Sequence, residues 1–161
     1  MEHMDLTLAK SMRELKGVIT TKVKAQGNDV DFGPHCWTGT AVHANSRPRN
    51  VHSDKASLNG GYDLVMSVGN FDDCWLLIEE LRVRIRMRPG DFLFLRSSLL
   101  KHGVCQEWKG TGRFVIVPFC DRALYAYHHV ARPLSLRRVY GGQWSAIRNA
   151  YPAVDLHAQL M

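Results

Sequence analysis

The sequence predicts a mainly β domain, a jelly roll of two packed sheets, with a helix in front and a helical tail behind. Three observations carry this reading. Short apolar runs recur roughly every ten residues between Trp37 and Phe119. Turn signals such as Asn59-Gly60-Gly61 and Pro89-Gly90-Asp91 separate them. One run, Leu81 to Arg88, alternates strictly between apolar and cationic residues, the period of a half-buried strand.

The chain has 161 residues, enough for a single domain over 1–161, and 45% are apolar, enough for a real core. The core of that domain is expected at about 35–120. The formal charge of +6 favours acidic partners such as nucleic acid; a basic surface kept for solubility explains it equally well. Cys36, Cys74, Cys105 and Cys120 form no C-x-x-C pair, which argues against a zinc finger. The chain shows neither a signal peptide nor an 18-residue apolar run. Reduced thiols in the nucleus or cytoplasm, and no membrane partner, are therefore expected.

Met1-Glu2-His3-Met4 has the look of an appended start and is left out of the fold reading. From residue 5 to about 16, Leu6, Leu8, Met12 and Leu15 mark an amphipathic helix, with Gly17 as its stop. Val18 to Ala25 reads as a β-rich run, followed by a turn at Gln26-Gly27-Asn28-Asp29. Trp37 to His43 is a strand with Trp37, Gly39, Ala41 and His43 on one face. Pro48 and its polar neighbours make Asn45 to Asn50 a loop or an edge. Tyr62 to Asn70, Cys74 to Leu81 and Leu81 to Arg88 are the next strands. Phe92 to Leu95 is expected to be buried, and Arg113 to Phe119 is the last clear strand. In the tail, 123–161, Ala123 to Val130 and Gln143 to Ala150 are the helical segments.

The chemistry concentrates in His52-Ser53-Asp54. Two residues apart on extended backbone, His52 and Asp54 project to one face and can reach one metal. His102 supplies a third ligand. Two histidines and a carboxylate form the facial triad of a non-haem Fe(II) site with open coordination positions. A 2-oxo acid can take two of those positions and O₂ the third. Arg113 heads the apolar strand Phe114-Val115-Ile116-Val117, where a charge wants a partner. Its planar fork suits the distal carboxylate of 2-oxoglutarate. The residues therefore point to an Fe(II)- and 2-oxoglutarate-dependent dioxygenase. The competing view is that His52, Asp54 and His102 are unrelated surface residues.

The blocks Asn50-Val51-His52-Ser53-Asp54, Gly69-Asn70-Phe71, Pro89-Gly90-Asp91-Phe92-Leu93-Phe94 and Leu100-Lys101-His102-Gly103-Val104 stand in an order that resembles the TET/JBP family of oxygenases, fungal members with short cores most of all. The resemblance covers roughly residues 40 to 120. It implies a double-stranded β-helix of the jelly-roll or cupin-like kind, and oxidation of a methyl group on a DNA base, of the 5-methylcytosine type or on N6-methyladenine. His52, Asp54 and His102 match the iron ligands and Arg113 the 2-oxoglutarate arginine, with ascorbate as the reductant in vitro. Arg47 matches a position that touches the cosubstrate in some relatives; a solvated loop arginine is the plain alternative. Asn45 and Ser57 fall where relatives place base-pocket residues, with turn capping the simpler role. Two residues after the arginine, relatives often carry a small hydroxyl residue; this chain has Val115.

Three functions follow: the dioxygenase on DNA; the same chemistry on RNA, a nucleoside or a protein; or a non-catalytic jelly-roll module that binds nucleic acid. The Arg82, Arg84, Arg86 and Arg88 ladder could track phosphates, or be a solvated sheet face.

Overall fold

In the computed structural model, residues 6–28, 35–45, 51–105 and 108–130 are described here. The first element is helix α1, Leu6–Ala25. It runs through Gly17 and takes in Val18 to Ala25, where a β-rich run was expected. The stripe Leu8, Met12, Leu15, Ile19 and Val23 continues at helical spacing across the glycine, and burying it outweighs the cost of about 1 kcal/mol for one mid-helix Gly. Thr20 and Thr21 turn their hydroxyls back onto the carbonyls of Lys16 and Gly17. The helix stops at Gly27, whose φ of 78° is the left-handed conformation of a C-terminal cap.

Seven strands follow: β1 Gly39–Ala44, β2 Asp63–Phe71, β3 Cys74–Ile78, β4 Val83–Met87, β5 Phe92–Leu95, β6 His102–Val104 and β7 Gly110–Phe119. They form two antiparallel sheets. The larger has the order β1-β7-β2-β5 and the smaller β4-β3-β6. Together they make a jelly-roll-like β-sandwich, the architecture expected. Helix α2, Arg122–Tyr127, closes the described chain, with the Asp121 carboxylate accepting from the Ala123 amide as its N-cap. It stops short of the expected Val130, and Gln143 to Ala150 lies outside the described residues.

Pleating sorts each strand of the larger sheet into two faces. Val65, Leu93, Leu95, Val115 and Val117 point inward and meet Leu76, Ile78, Ile85 and Met87 of the smaller sheet. Leu64 and Phe94 point outward and pack under α1, with Trp37, Cys120 and Tyr125. Trp37 lies just before β1 and donates its indole N–H to the Tyr62 carbonyl at 2.8 Å.

Two strand expectations are corrected. The alternating run begins at Val83, because Arg82, with φ of 52°, closes a turn on the Glu79 carbonyl and leaves Leu81 exposed. Phe92 is exposed rather than buried, since it heads an edge strand and points away from the inner core. Arg84 and Arg86 do line the outer face of β4, Arg86 paired with Asp73. None of the four cysteines is in a disulfide. Among the described residues, no helix is long and apolar enough to cross a membrane.

Candidate metal centre and anion pocket

The segment carrying His52 and Asp54 is held on both sides by main-chain bonds. His52 and His102 form an antiparallel bridge, with N–H to O distances of 3.0 and 2.8 Å. The Asp54 amide donates to the Ser97 carbonyl at 2.9 Å, and the Ser57 amide to the Asp54 carbonyl at 3.1 Å. Leu58 donates to the Cys120 carbonyl and Arg122 to that of Ala56. The loop is thus fixed between the end of β7 and the β5–β6 connection.

The three side chains expected to gather do gather. Asp54 Oδ1 lies 3.5 Å from His52 Nε2, and Oδ2 lies 3.6 Å from His102 Nε2. One ligand atom from each residue lies within 4.8 Å of the others, and among the described residues this is the group that could hold a metal. His102 is buried, and its Nδ1 sits 3.0 Å from the Leu100 carbonyl oxygen. That bond favours the tautomer with the proton on Nδ1, leaving the Nε2 lone pair for a metal. His52 stands exposed at the rim. Two imidazoles and a carboxylate meeting on one side fit Fe(II) and leave the other side for ligands.

Behind the triad is a cavity of about 510 Å³ with apolar walls that include Val65, Leu76 and Val117. Arg113 lines the same cavity and is only 2% exposed. Its Nη2 donates to Ser67 Oγ at 3.2 Å, and the guanidinium lies 5.6 Å from the centre of the Phe71 ring. Nε and Nη1 are buried without a hydrogen-bond partner. Burial lowers the Arg113 pKa, yet a guanidinium keeps its charge at any ordinary pH. A buried cation with unfilled donors is costly unless an anion meets it.

The sequence did not single out Ser67. β2 pairs with β7 so that Ser67 stands opposite Val115. The hydroxyl missing at Val115 is therefore offered to Arg113 from the facing strand. Only the cross-strand register reveals this, and no local pattern encodes it.

Ser57 is buried on the cavity wall and hydrogen-bonds Asp63, which also accepts from Ser97. Desolvation raises the Asp63 carboxyl to about 6, with the two serine bonds opposing and the charge of Asp54 adding. Asn45 has another engagement: its Oδ1 accepts from the Arg113 amide at 3.0 Å, and its own amide donates to the Arg113 carbonyl. It is not among the residues lining the cavity. Arg47 lies outside the described residues.

No family model matches the chain, and a search of curated proteins also returned no match. Among solved structures, the chain is similar to NgTET1 in complex with 5mC DNA, with a TM-score of 0.50 and 20% identity over 75% of this chain and 44% of that one. The chain thus spans less than half the length of that protein. A Ralstonia eutropha protein assigned as a mannose-6-phosphate isomerase matches over 51% of this chain and 68% of its own, with 22% identity and a TM-score of 0.33. At such identity the likeness to NgTET1 is one of fold, and it agrees with the jelly roll built above.

Proposed function

We propose that this chain is an Fe(II)- and 2-oxoglutarate-dependent dioxygenase that hydroxylates a methyl group on a nucleobase in DNA. The observation that carries the reading is one cavity holding both a His/Asp/His group and a buried arginine with two unfilled donors. A metal site alone would not need the arginine, and an arginine alone would not need the triad. A dianionic cosubstrate that chelates a metal at one end accounts for both.

His52, Asp54 and His102 would hold the iron. Bound there with 2-oxoglutarate and O₂, it supplies the oxidising power to hydroxylate a C–H bond. Arg113, braced by Ser67 and Phe71, receives the distal carboxylate through Nε and Nη1. The apolar walls keep bulk water from the reacting centre. Ser57 lies on the wall near the ligand loop and is a contact for the substrate; Arg47 is a second contact for the cosubstrate. The DNA substrate rests on the sequence blocks, on the basic chain and on the fold shared with a protein solved on 5mC DNA.

The test is mass spectrometry of nucleosides from duplex DNA carrying 5-methylcytosine or N6-methyladenine, incubated with iron-loaded protein and ascorbate, with and without 2-oxoglutarate. A hydroxymethyl or demethylated product that needs 2-oxoglutarate is expected. Succinate release without a DNA product would keep the dioxygenase and reject DNA. Neither product nor succinate would reject both.

A further inference from the structure

Asp63 opens β2, pairs with Leu95 of β5 and is only 2% exposed. Burying a carboxyl is costly, and an apolar side chain would fill the space without that cost. What a carboxyl offers is acceptor capacity for several donors at once. Here the hydroxyls of Ser97 and Ser57, both buried, use it. The same two serines hold the main chain of Asp54. The Ser97 carbonyl accepts from the Asp54 amide at 2.9 Å, and the Ser57 amide donates to the Asp54 carbonyl at 3.1 Å. Asp54, Ser97, Asp63 and Ser57 therefore close a ring of hydrogen bonds. Ser97 lies after β5 and Ser57 before β2, both outside the strands; Asp63 is the strand residue that anchors them.

We propose that Asp63 is a positioning residue of the metal centre: by holding Ser57 and Ser97 together it fixes the Asp54 main chain, and with it the aim of the Asp54 carboxylate toward His52 and His102. The inference rests on the reading of His52, Asp54 and His102 as metal ligands. Asp63 is not among the residues lining the cavity, so it acts through Asp54. Partners that orient a metal ligand are worth about 10–100-fold in metal affinity. The ring orders Asp54 before any metal arrives. Its loss therefore has two effects, one on the metal-free chain and one on metal binding.

The test compares the full wild-type chain with Asp63→Ala and Asp63→Asn. Amide hydrogen exchange of the metal-free proteins reads the ring directly. In Asp63→Ala the Asp54 and Ser57 amides are expected to exchange about tenfold faster, a change beyond that of the β7 amides. A change no larger than that of β7 would mean a general loss of stability and overturn the proposal. Titration with Co(II), followed by its visible absorption, reads the consequence. Asp63→Ala is expected to bind about tenfold more weakly or worse, with altered absorption. Asp63→Asn loses the same charge but keeps an acceptor oxygen for the serines, and is expected to recover most of the affinity. Equal loss in both variants would assign the effect to charge and overturn the proposal, as would Co(II) binding by Asp63→Ala within about twofold of wild type. Ser97→Ala breaks the ring at its hydroxyl and leaves the main-chain bonds in place, so it carries the test if Asp63→Ala does not fold. It is expected to bind Co(II) about threefold more weakly or worse, and wild-type affinity in it would overturn the proposal. A wild type that binds no Co(II) would overturn the metal centre and the positioning role with it; the exchange result tells that failure from failure of the ring.

Discussion

His52 and His102 are backbone partners: the amide of each donates to the carbonyl of the other, at 3.0 and 2.8 Å. The spacing of these two candidate ligands is therefore set by main chain rather than by side-chain packing. The Asp54 amide is likewise tied, to Ser97. A site held this way is preorganised before any metal arrives.

The first prediction follows from that. Asp54→Ala removes one of the three candidate ligands and no main-chain bond. Metal affinity is expected to fall by about 100-fold or more, since even outer partners of metal ligands are worth 10–100-fold. The thermal midpoint of the metal-free protein should move little. Anaerobic titration with Fe(II) or Co(II), beside a melting curve, checks both. Unaltered affinity would remove Asp54 from the site.

Arg113 predicts a conflict between stability and function. Its guanidinium is buried with two unfilled donors, so replacement by an apolar side chain of similar length relieves desolvation. Arg113→Met is expected to stabilise the ligand-free protein by about 1–3 kcal/mol. It should also abolish the stabilisation that 2-oxoglutarate gives the iron-loaded wild type, about 2.7 kcal/mol at a hundred times Kd. Urea unfolding with and without 2-oxoglutarate tests the two halves separately. A destabilised Arg113→Met protein would mean that the contacts with Ser67 and Phe71 outweigh the cost of burying the charge.

The sequence made the strands legible because a pleated, half-buried ribbon forces alternation, and Val83 to Met87 alternates in the structure as it does in the letters. The closeness of His52 and Asp54 was legible for a similar reason: they are two apart, so proximity needs only local geometry. His102 and Arg113 lie far off in the chain, and it is strand pairing that brings them to the same cavity, His102 through its bridge to His52 and Arg113 through β7. What stayed hidden depends on partners distant in the chain. Ser67 gains its role only because β2 meets β7 in one register. α1 passes Gly17 only because Ile19 and Val23 join an apolar cluster built from residues far along the chain, Trp37, Leu64, Phe94 and Tyr125 among them. Asn45 is drawn from the cavity to the Arg113 backbone by the pairing of β1 with β7.

Gly69 shows how closely that register is drawn. It pairs with Arg113 at φ of 129°, and a Cβ there would run into the Gly112 carbonyl oxygen. Gly69→Ala must strain the backbone or part the strands, at a cost of about 1–3 kcal/mol. Phe71 lies just beyond, past the register shift at Asn70 and Phe71, and faces the Arg113 guanidinium. The variant should therefore be less stable to urea and bind 2-oxoglutarate more weakly, with metal affinity kept. Full stability in the variant would show that the two strands have room to spare.

Asp63 sets a pH dependence of stability in the metal-free protein. Burial raises its carboxyl from 3.8 to about 6. Below pH 3.8 both folded and unfolded chains hold the proton, and the group favours neither. Between 3.8 and 6 the unfolded chain has released its proton while the folded chain has not, so stability falls as pH rises. Above about 6 the loss is constant, at most about 3 kcal/mol for a shift of this size. Asp63→Asn cannot ionise and escapes that loss. It gives up part of the bonding to Ser57 and Ser97, worth about 1 kcal/mol, because one carboxamide oxygen replaces two carboxylate oxygens. The variant should therefore be no more stable than wild type near pH 4. It should gain on wild type through pH 6 and hold a constant lead above it. Urea unfolding of both proteins at several pH values between 4 and 8 measures the difference. A gap that does not change with pH would mean that Asp63 ionises in the folded chain as it does in the unfolded one.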